Sequence, residues 1–533
     1  MFAAWAVFLA LAWGPSASLA VDAAVRLAAG HPDAWSLLWP DERRTRLLAR
    51  SAAMAAAVAA LAGVLGGLAG LGAVRLLASR GMPEGLRLWL IAGLVLWLAA
   101  PPYLHALAGI EAGNWFRAQF LGITGGMPQL PGPVSVVVIQ ALALLPYPMF
   151  GALIGFATVE RDLAEAGKVV APPARVFRRI WLPLAAPALL AGTGAAFVFS
   201  LLDSSTPSLF GVPSYAMEIV AEYSATHMAW RAALLALPLI LVAGVAIALV
   251  LTALRRTTSA HARARRADPE DCRPGPVAAT AAFGGVAVMA IYGVMLLALL
   301  VAGAGLWRTL PTLVWETRGD LLRTIVNAAL AAALVLFPAA AIAQTLAQPA
   351  RSGAVRILAW AVVLLPLAIP PALTGAGLAT LMAAHAPDAL RMSPVIPAFA
   401  HAGRFVPLAV LIIHAQMRRV DPLLIDAARL VRPPGLARWA QIDLRLAAPG
   451  LIAAFGLVFC ASMGELESTL MTVAPGAGVL SLRIFNYLHY GVTDTVAALG
   501  LALGLLLWAV ALVALRLIRR QNRHKANPYD APA

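Results

Sequence analysis

The chain has 533 residues, 61% of them hydrophobic and 12% charged, with a mean hydropathy of +0.82, far from soluble globular averages. Its formal charge of +15 does not point to nucleic acid, because the arginines fall between apolar runs rather than on an amphipathic face interleaved with aromatics. The only two cysteines are Cys272 in a basic segment and Cys460 in an apolar run, which excludes a disulfide framework and a paired-cysteine metal site.

The apolar runs are continuous rather than alternating, which excludes a β-barrel and predicts an all-α integral membrane protein. A helix crossing ~30 Å of hydrocarbon needs roughly 20 apolar residues. On that criterion twelve transmembrane helices are expected, at 2–26, 51–78, 86–109, 134–158, 183–203, 229–254, 278–304, 322–347, 355–381, 394–416, 447–471 and 496–518. The first is read as a retained span, since MFAAWAVF lacks the basic region that opens a secretion signal. With the N-terminus inside, about 23 Lys and Arg fall in the inner loops and tail and about 9 in the outer loops. Both termini are therefore expected to be cytoplasmic. The worst misfit is DERRTR at 41–46, which puts Arg43, Arg44 and Arg46 outside. The polar, basic stretch LRRTTSAHARARRADPEDCRPGP has the composition of a cytoplasmic linker. The expected organisation is a first transmembrane domain at 1–254, a linker at 255–276, a second transmembrane domain at 277–519 and a cytoplasmic tail at 520–533.

Between the fourth and fifth spans lies DLAEAGKVVAPPARVFRRIWLPLAAPALLAG, and LLIDAARLVRPPGLARWAQIDLRLAAPGLIAA follows the tenth. The offset between them is 261 residues through Pro172-Pro173 and Pro433-Pro434, and 262 from Leu182 and Leu444 onward. The chain thus reads as a tandem duplication of six spans. An even number of spans separates the copies, so both segments face the same side, as parallel repeats. Each has a short helix, a Pro-Pro break and a basic amphipathic stretch. Proline ends the helix and turns the chain, so the short helix can project a docking face. The alternative is a pair of interfacial helices that only anchor the loops.

These twin segments resemble the EAA loops of ABC transporter permeases, whose pattern is Glu-Ala-Ala, three residues, Gly, then Ile-x-Leu-Pro about nine residues later. Glu165, Ala166 and Gly167 match the opening of one copy, and Asp426, Ala427 and Ala428 that of the other. Ala171 and Arg432 stand where the family has Gly, and Arg445 replaces the last Pro. SMGELESTLMTVAPGAGVLSLRIFNYLHYG further resembles the fused permeases of ferric iron importers, to which thiamine, polyamine and aminoalkylphosphonate permeases are related. The resemblance implies two six-helix permease repeats in a bacterial inner membrane, importing ferric iron first and thiamine, polyamine or aminoalkylphosphonate next. It also implies two cytoplasmic ATPase subunits docked on the loops and a periplasmic or lipid-anchored solute-binding protein. ATP and magnesium belong on the ATPase: at Gly167-Lys168, Asp162 stands where a P-loop needs Gly, and Val169 where it needs Ser or Thr. No cofactor, resident metal or catalytic residue is therefore expected on this chain.

The duplication also pairs acids. Asp203 matches Glu465 at an offset of 262, with Glu467 close by. A carboxylate in an apolar span costs about 2.5 to 3.5 kcal/mol, which marks it as a functional candidate, here for lining a translocation path. The competing reading is a structural cap at a helix end. In the segment at 480–491, Arg483, Tyr487, His489 and Tyr490 offer polar groups outside the membrane. Tyr and His suit ferric iron, but interfacial anchoring is the commoner role. A proton-coupled secondary transporter using Asp203, Glu465 and Glu467 is the rival function. An embedded enzyme is a third class, without a nucleophile and base to support it.

Overall fold

The computed structural model describes residues 2–78, 82–120, 132–157, 159–258, 275–303, 306–348, 353–420, 423–424, 427, 430, 435, 438–490 and 493–526. Asp426, Ala428, Arg432 and the Pro433-Pro434 break lie outside the described residues, as do Cys272 and most of the linker and tail. Among the described residues the protein is all-α, with nine helices long and apolar enough to cross a membrane and three further bent helix pairs.

Counting each bent pair as one span gives up to twelve, the number expected, and the bends add a feature that hydropathy does not carry. The first span breaks into Phe2–Ala12 and Gly14–Ala28 at 60°. In each repeat the third span bends by 93°, between Glu84–Leu98 and Pro102–Ile110 and again between Gly353–Ala368 and Pro371–His385. Both right-angle bends fall at a Pro-Pro pair, Pro101-Pro102 and Pro370-Pro371. Proline removes an N–H and forces its predecessor into extended backbone, as seen at Ala100 (φ −67°, ψ 128°) and Ile369 (φ −83°, ψ 127°).

The duplication is visible in local geometry. A π-helical turn at Phe177–Trp181 leads into the Leu182–Leu202 helix, and a second at Trp439–Asp443 leads into Leu444–Met463. The turns are 262 residues apart, the offset of the repeat. Single π turns inside α-helices concentrate at functional sites.

Two compact units are present. One comprises Met1–His31, Val314–Asn486 and Ala502–Ala533; the other comprises Pro32–Leu313 and Tyr487–Leu501. Each unit therefore contains the leading span of the other repeat. Small residues permit this packing, because helices in lipid associate through close backbone contact rather than hydrophobic drive. In the first unit, a Cβ at Gly403 would lie 2.2 Å from the Leu11 carbonyl oxygen, and one at Gly377 would lie 2.3 Å from that of Pro15. Trp13 Nε1 donates to the Val362 carbonyl at 2.9 Å. In the second unit, the Pro276–Gly303 helix lies against Glu42–Ala78 through Gly72 and Gly285, whose Cβ atoms would each come within 2.6 Å of the facing backbone.

Candidate translocation and docking sites

The first EAA-like loop opens with the Arg161–Val170 helix. Its Ala164 is fully buried in a cluster with Phe156, Val176, Phe177 and Trp181. Gly167 faces the returning chain so closely that a Cβ would lie 2.8 Å from Ile180 Cδ1 and 3.0 Å from Val176 Cγ1. Ala171 then adopts extended backbone at φ −150°, ψ 153°, and Pro173 opens the next helical turn. One face of the loop helix is thus fixed against the protein. The other leaves Glu165 and Ala166 exposed, with Val169 and Val170 at 89% and 83% exposure. That valine pair escaped the sequence reading, which tracked the EAA positions; an apolar pair ending a polar helix was the available signal.

In the second loop, Ala427 is described as helical and exposed, as are Leu423, Leu424 and Leu430. Where the family has Ile-x-Leu-Pro, Asp443 is buried. It accepts a hydrogen bond from Gln344 Nε2 at 2.9 Å and lies 3.5 Å from Arg438 Nε.

The repeat-paired acids occupy matched breaks. Asp203 follows the Leu182–Leu202 helix. Its Oδ1 accepts from the backbone N–H groups of Ser205 (2.9 Å) and Thr206 (3.3 Å) and from Ser205 Oγ (2.6 Å). Gln140 Nε2 donates to its Oδ2 at 2.8 Å, while Ser200 Oγ donates to Gln140 Oε1 at 2.6 Å. Glu465 follows Leu444–Met463 and in the same way accepts from the backbone N–H and Oγ of Ser468, each at 3.1 Å. Its other oxygen is paired with Arg404. His401 lies beside this pair, Nδ1 2.6 Å from Ser462 Oγ and Nε2 2.8 Å from Thr469 Oγ1. Both acids therefore cap a short following helix. Glu467 begins that helix in the second repeat, where a negative charge suits the N-terminal dipole.

The supporting residues follow the repeat. Gln140 and His401 are 261 residues apart, and Ser200 and Ser462 are 262 apart. Paired polar residues in apolar runs were a legible signal that sequence reasoning missed. So was Arg404, a lone cation in an apolar span.

A further matched pair ties the next helices along, Tyr215–Thr226 and Leu480–His489, to the long helices Glu42–Ala78 and Arg318–Ala347. The Tyr215 N–H donates to Ser51 Oγ, and the Leu480 N–H donates to Thr324 Oγ1, both at 2.9 Å. One turn along, Glu218 is ion-paired with Arg43, while Arg483, 265 residues later, is ion-paired with Asp320. The role is kept and the charges are reversed. Tyr487 and His489 end the Leu480–His489 helix, and Tyr490 beyond it is exposed.

No family model matches the chain. Over 132 residues, 25% of the chain, it is 28% identical to the spermidine/putrescine transport system permease protein PotC of Escherichia coli strain K12. The same figures hold for PotC of Escherichia coli O157:H7 and of Shigella flexneri. The chain spans about half the length of these curated relatives, 49% of each. The similarity, together with the many apolar helices, supports the ABC permease family and a multi-pass membrane protein.

Proposed function

We propose that the chain is the permease subunit of an ATP-driven importer, forming a solute path from two six-span repeats and docking two separate ATPase subunits through its EAA-like loops. The observation that carries this reading is the first loop helix, anchored by Ala164 and Gly167 while Val169 and Val170 are exposed. A short helix held on one face, with an exposed apolar pair at its end beside the charged Glu165, suits insertion into a partner's groove. ATP and magnesium would reside on that partner. A periplasmic or lipid-anchored solute-binding protein would deliver the substrate, and the setting is a bacterial inner membrane with both termini cytoplasmic.

A cationic solute is the class we favour. Asp203 is half-buried at a helix break and has no cationic partner among the described residues. Ferric iron is the assignment drawn from the resemblance around Glu465, with thiamine and aminoalkylphosphonate behind it. The name of the relatives supports a polyamine as the second reading. Co-reconstitution with the ATPase and binding protein in vesicles tests both, by ATP-dependent uptake of labelled ferric iron and of labelled spermidine. Uptake driven by a proton gradient without ATP would replace this reading with a secondary transporter.

A further inference from the structure

The Glu42–Ala78 helix has 37 residues, about 55 Å at 1.5 Å per residue, whereas crossing the hydrocarbon takes roughly 20. Its first two turns, which contain most of the DERRTR segment, therefore run past the apolar stretch that begins near Ala52. Arg43, Arg46 and Arg50 are spaced by three and four residues and share one helix face. With Pro213, Ser214 and Glu218 they line a cavity of about 470 Å³.

Three arginines against Glu218 leave this cleft with a formal charge of +2. Ser214 caps the Tyr215–Thr226 helix there, and that N-terminus adds further positive potential. The arginines differ in what they already hold. Arg43 is paired with Glu218, and Arg46 lies 3.6 Å from the highly exposed Glu42. Arg50 has no carboxylate partner among the described residues. The other repeat supplies an internal control. Ser51 and Thr324 play the same part, so Arg50 corresponds to Arg323. Arg323 donates to the Gly478 carbonyl at 2.7 Å and pairs with Asp320. In that repeat the protein's own acceptors hold the arginine; in the first, Arg50 is left exposed and open to an outside acceptor.

We infer that this cleft binds a phosphate group, with Arg46 and Arg50 as the guanidiniums that hold it and Arg43 fixed beside them by Glu218. Guanidinium forks match phosphate oxygens bidentately. Arg50 stands at the edge of the apolar run, at headgroup level, and Arg46 about 6 Å further out. The phosphate can belong to an anionic phospholipid or be free in solution. Either source accounts for the basic cluster that the charge pattern leaves on the wrong side: it is retained for binding rather than for topology.

The test uses the purified full chain with phosphatidylglycerol, phosphatidylcholine and inorganic phosphate as probes at constant ionic strength, bound lipid being counted by native mass spectrometry. Phosphatidylglycerol should bind the wild type and lose about 25-fold in affinity in the Arg46→Gln/Arg50→Gln double variant, about fivefold per arginine. Arg356→Gln, at an exposed arginine elsewhere, should leave binding unchanged. In the unmutated protein the same probe should slow phenylglyoxal modification of Arg46 and Arg50, a readout independent of how the variants fold. Equal protection by inorganic phosphate assigns the site to the free anion, and protection by phosphatidylglycerol alone assigns it to lipid. No protection by either probe, or equal affinities in wild type and double variant, overturns the site.

Discussion

Gln140 donates to Asp203 across 2.8 Å, a neutral amide supporting a carboxylate that in the other repeat, as Glu465, is matched by the full charge of Arg404. The two acids share a helix break but not an electrostatic state. Asp203→Asn keeps an acceptor for the Ser205 and Thr206 N–H groups and should cost under ~1 kcal/mol of stability. Uptake of a cationic solute should nevertheless fall about tenfold, the value of one charge-assisted contact. Glu465→Gln strands Arg404 and should lower stability by about 3 kcal/mol. Uptake per correctly inserted molecule, read beside thermal unfolding, separates the two effects. Full uptake in the Asp203→Asn/Glu465→Gln double variant would remove both acids from the path and leave Glu467.

Docking is tested at the exposed valines. Val169→Asp with Val170→Asp should leave the fold unchanged, since both side chains are exposed and pack against nothing in the core among the described residues, yet abolish co-purification of the ATPase by placing charge in an apolar groove. Glu165→Lys should weaken the same association. Gly167→Val should act differently, displacing the whole loop helix through collision with Ile180 and Val176. Unaltered ATPase capture by the double aspartate variant would show that this face is not the contact.

The leading helix pair is held through Gly403. An alanine there would put its Cβ 2.2 Å from a backbone oxygen that cannot rotate away, and overpacking of this kind costs roughly 1–3 kcal/mol or more. Gly403→Ala should lower the unfolding temperature and speed proteolytic cleavage near His31. Gly504→Ala is the control: nothing lies within 4 Å of its Cβ, and removing a helical glycine should be neutral or gain up to about 1 kcal/mol.

The charge-reversed pairs should respond unequally. Arg43 is 62% exposed and Glu218 21%, while the Asp320 side chain is only 6% exposed. Arg43→Ala should cost less than ~1 kcal/mol and lose even that effect in 0.5 M salt. Arg483→Ala should cost about 2 kcal/mol with little salt dependence, because Asp320 is buried and keeps Arg323 alone as a cationic partner among the described residues. Chemical denaturation at two salt concentrations measures both, and equal costs would refute the difference in burial.

The duplication was legible because Pro172-Pro173 and Pro433-Pro434 recur with charged flanks against an apolar background. The matched placement of Asp203 and Glu465 at helix ends was legible for the same reason. The right-angle bends were not, since hydropathy counts apolar residues without regard to direction; Pro101-Pro102 and Pro370-Pro371 were the overlooked sign. Glu218 and Arg483 defeat residue-by-residue comparison altogether, because each is chosen to oppose its partner and the partners changed together. Nor does the pattern say which half a leading span packs against, as Gly72, Gly285, Gly377 and Gly403 sit in equally small-residue surroundings.

The exchange of leading spans sets a timetable for biogenesis. Leu11 is translated 392 residues before Gly403, against which it packs. At about 5–20 residues per second, the newborn first helix waits roughly 20–80 s for the ribosome to deliver its neighbour. Throughout that interval its glycine-matched surface faces lipid or the insertion machinery. A fragment released at the linker would hold this helix with none of its partners from the second half, so carrying both halves on one chain ensures that both sides of the contact are inserted together.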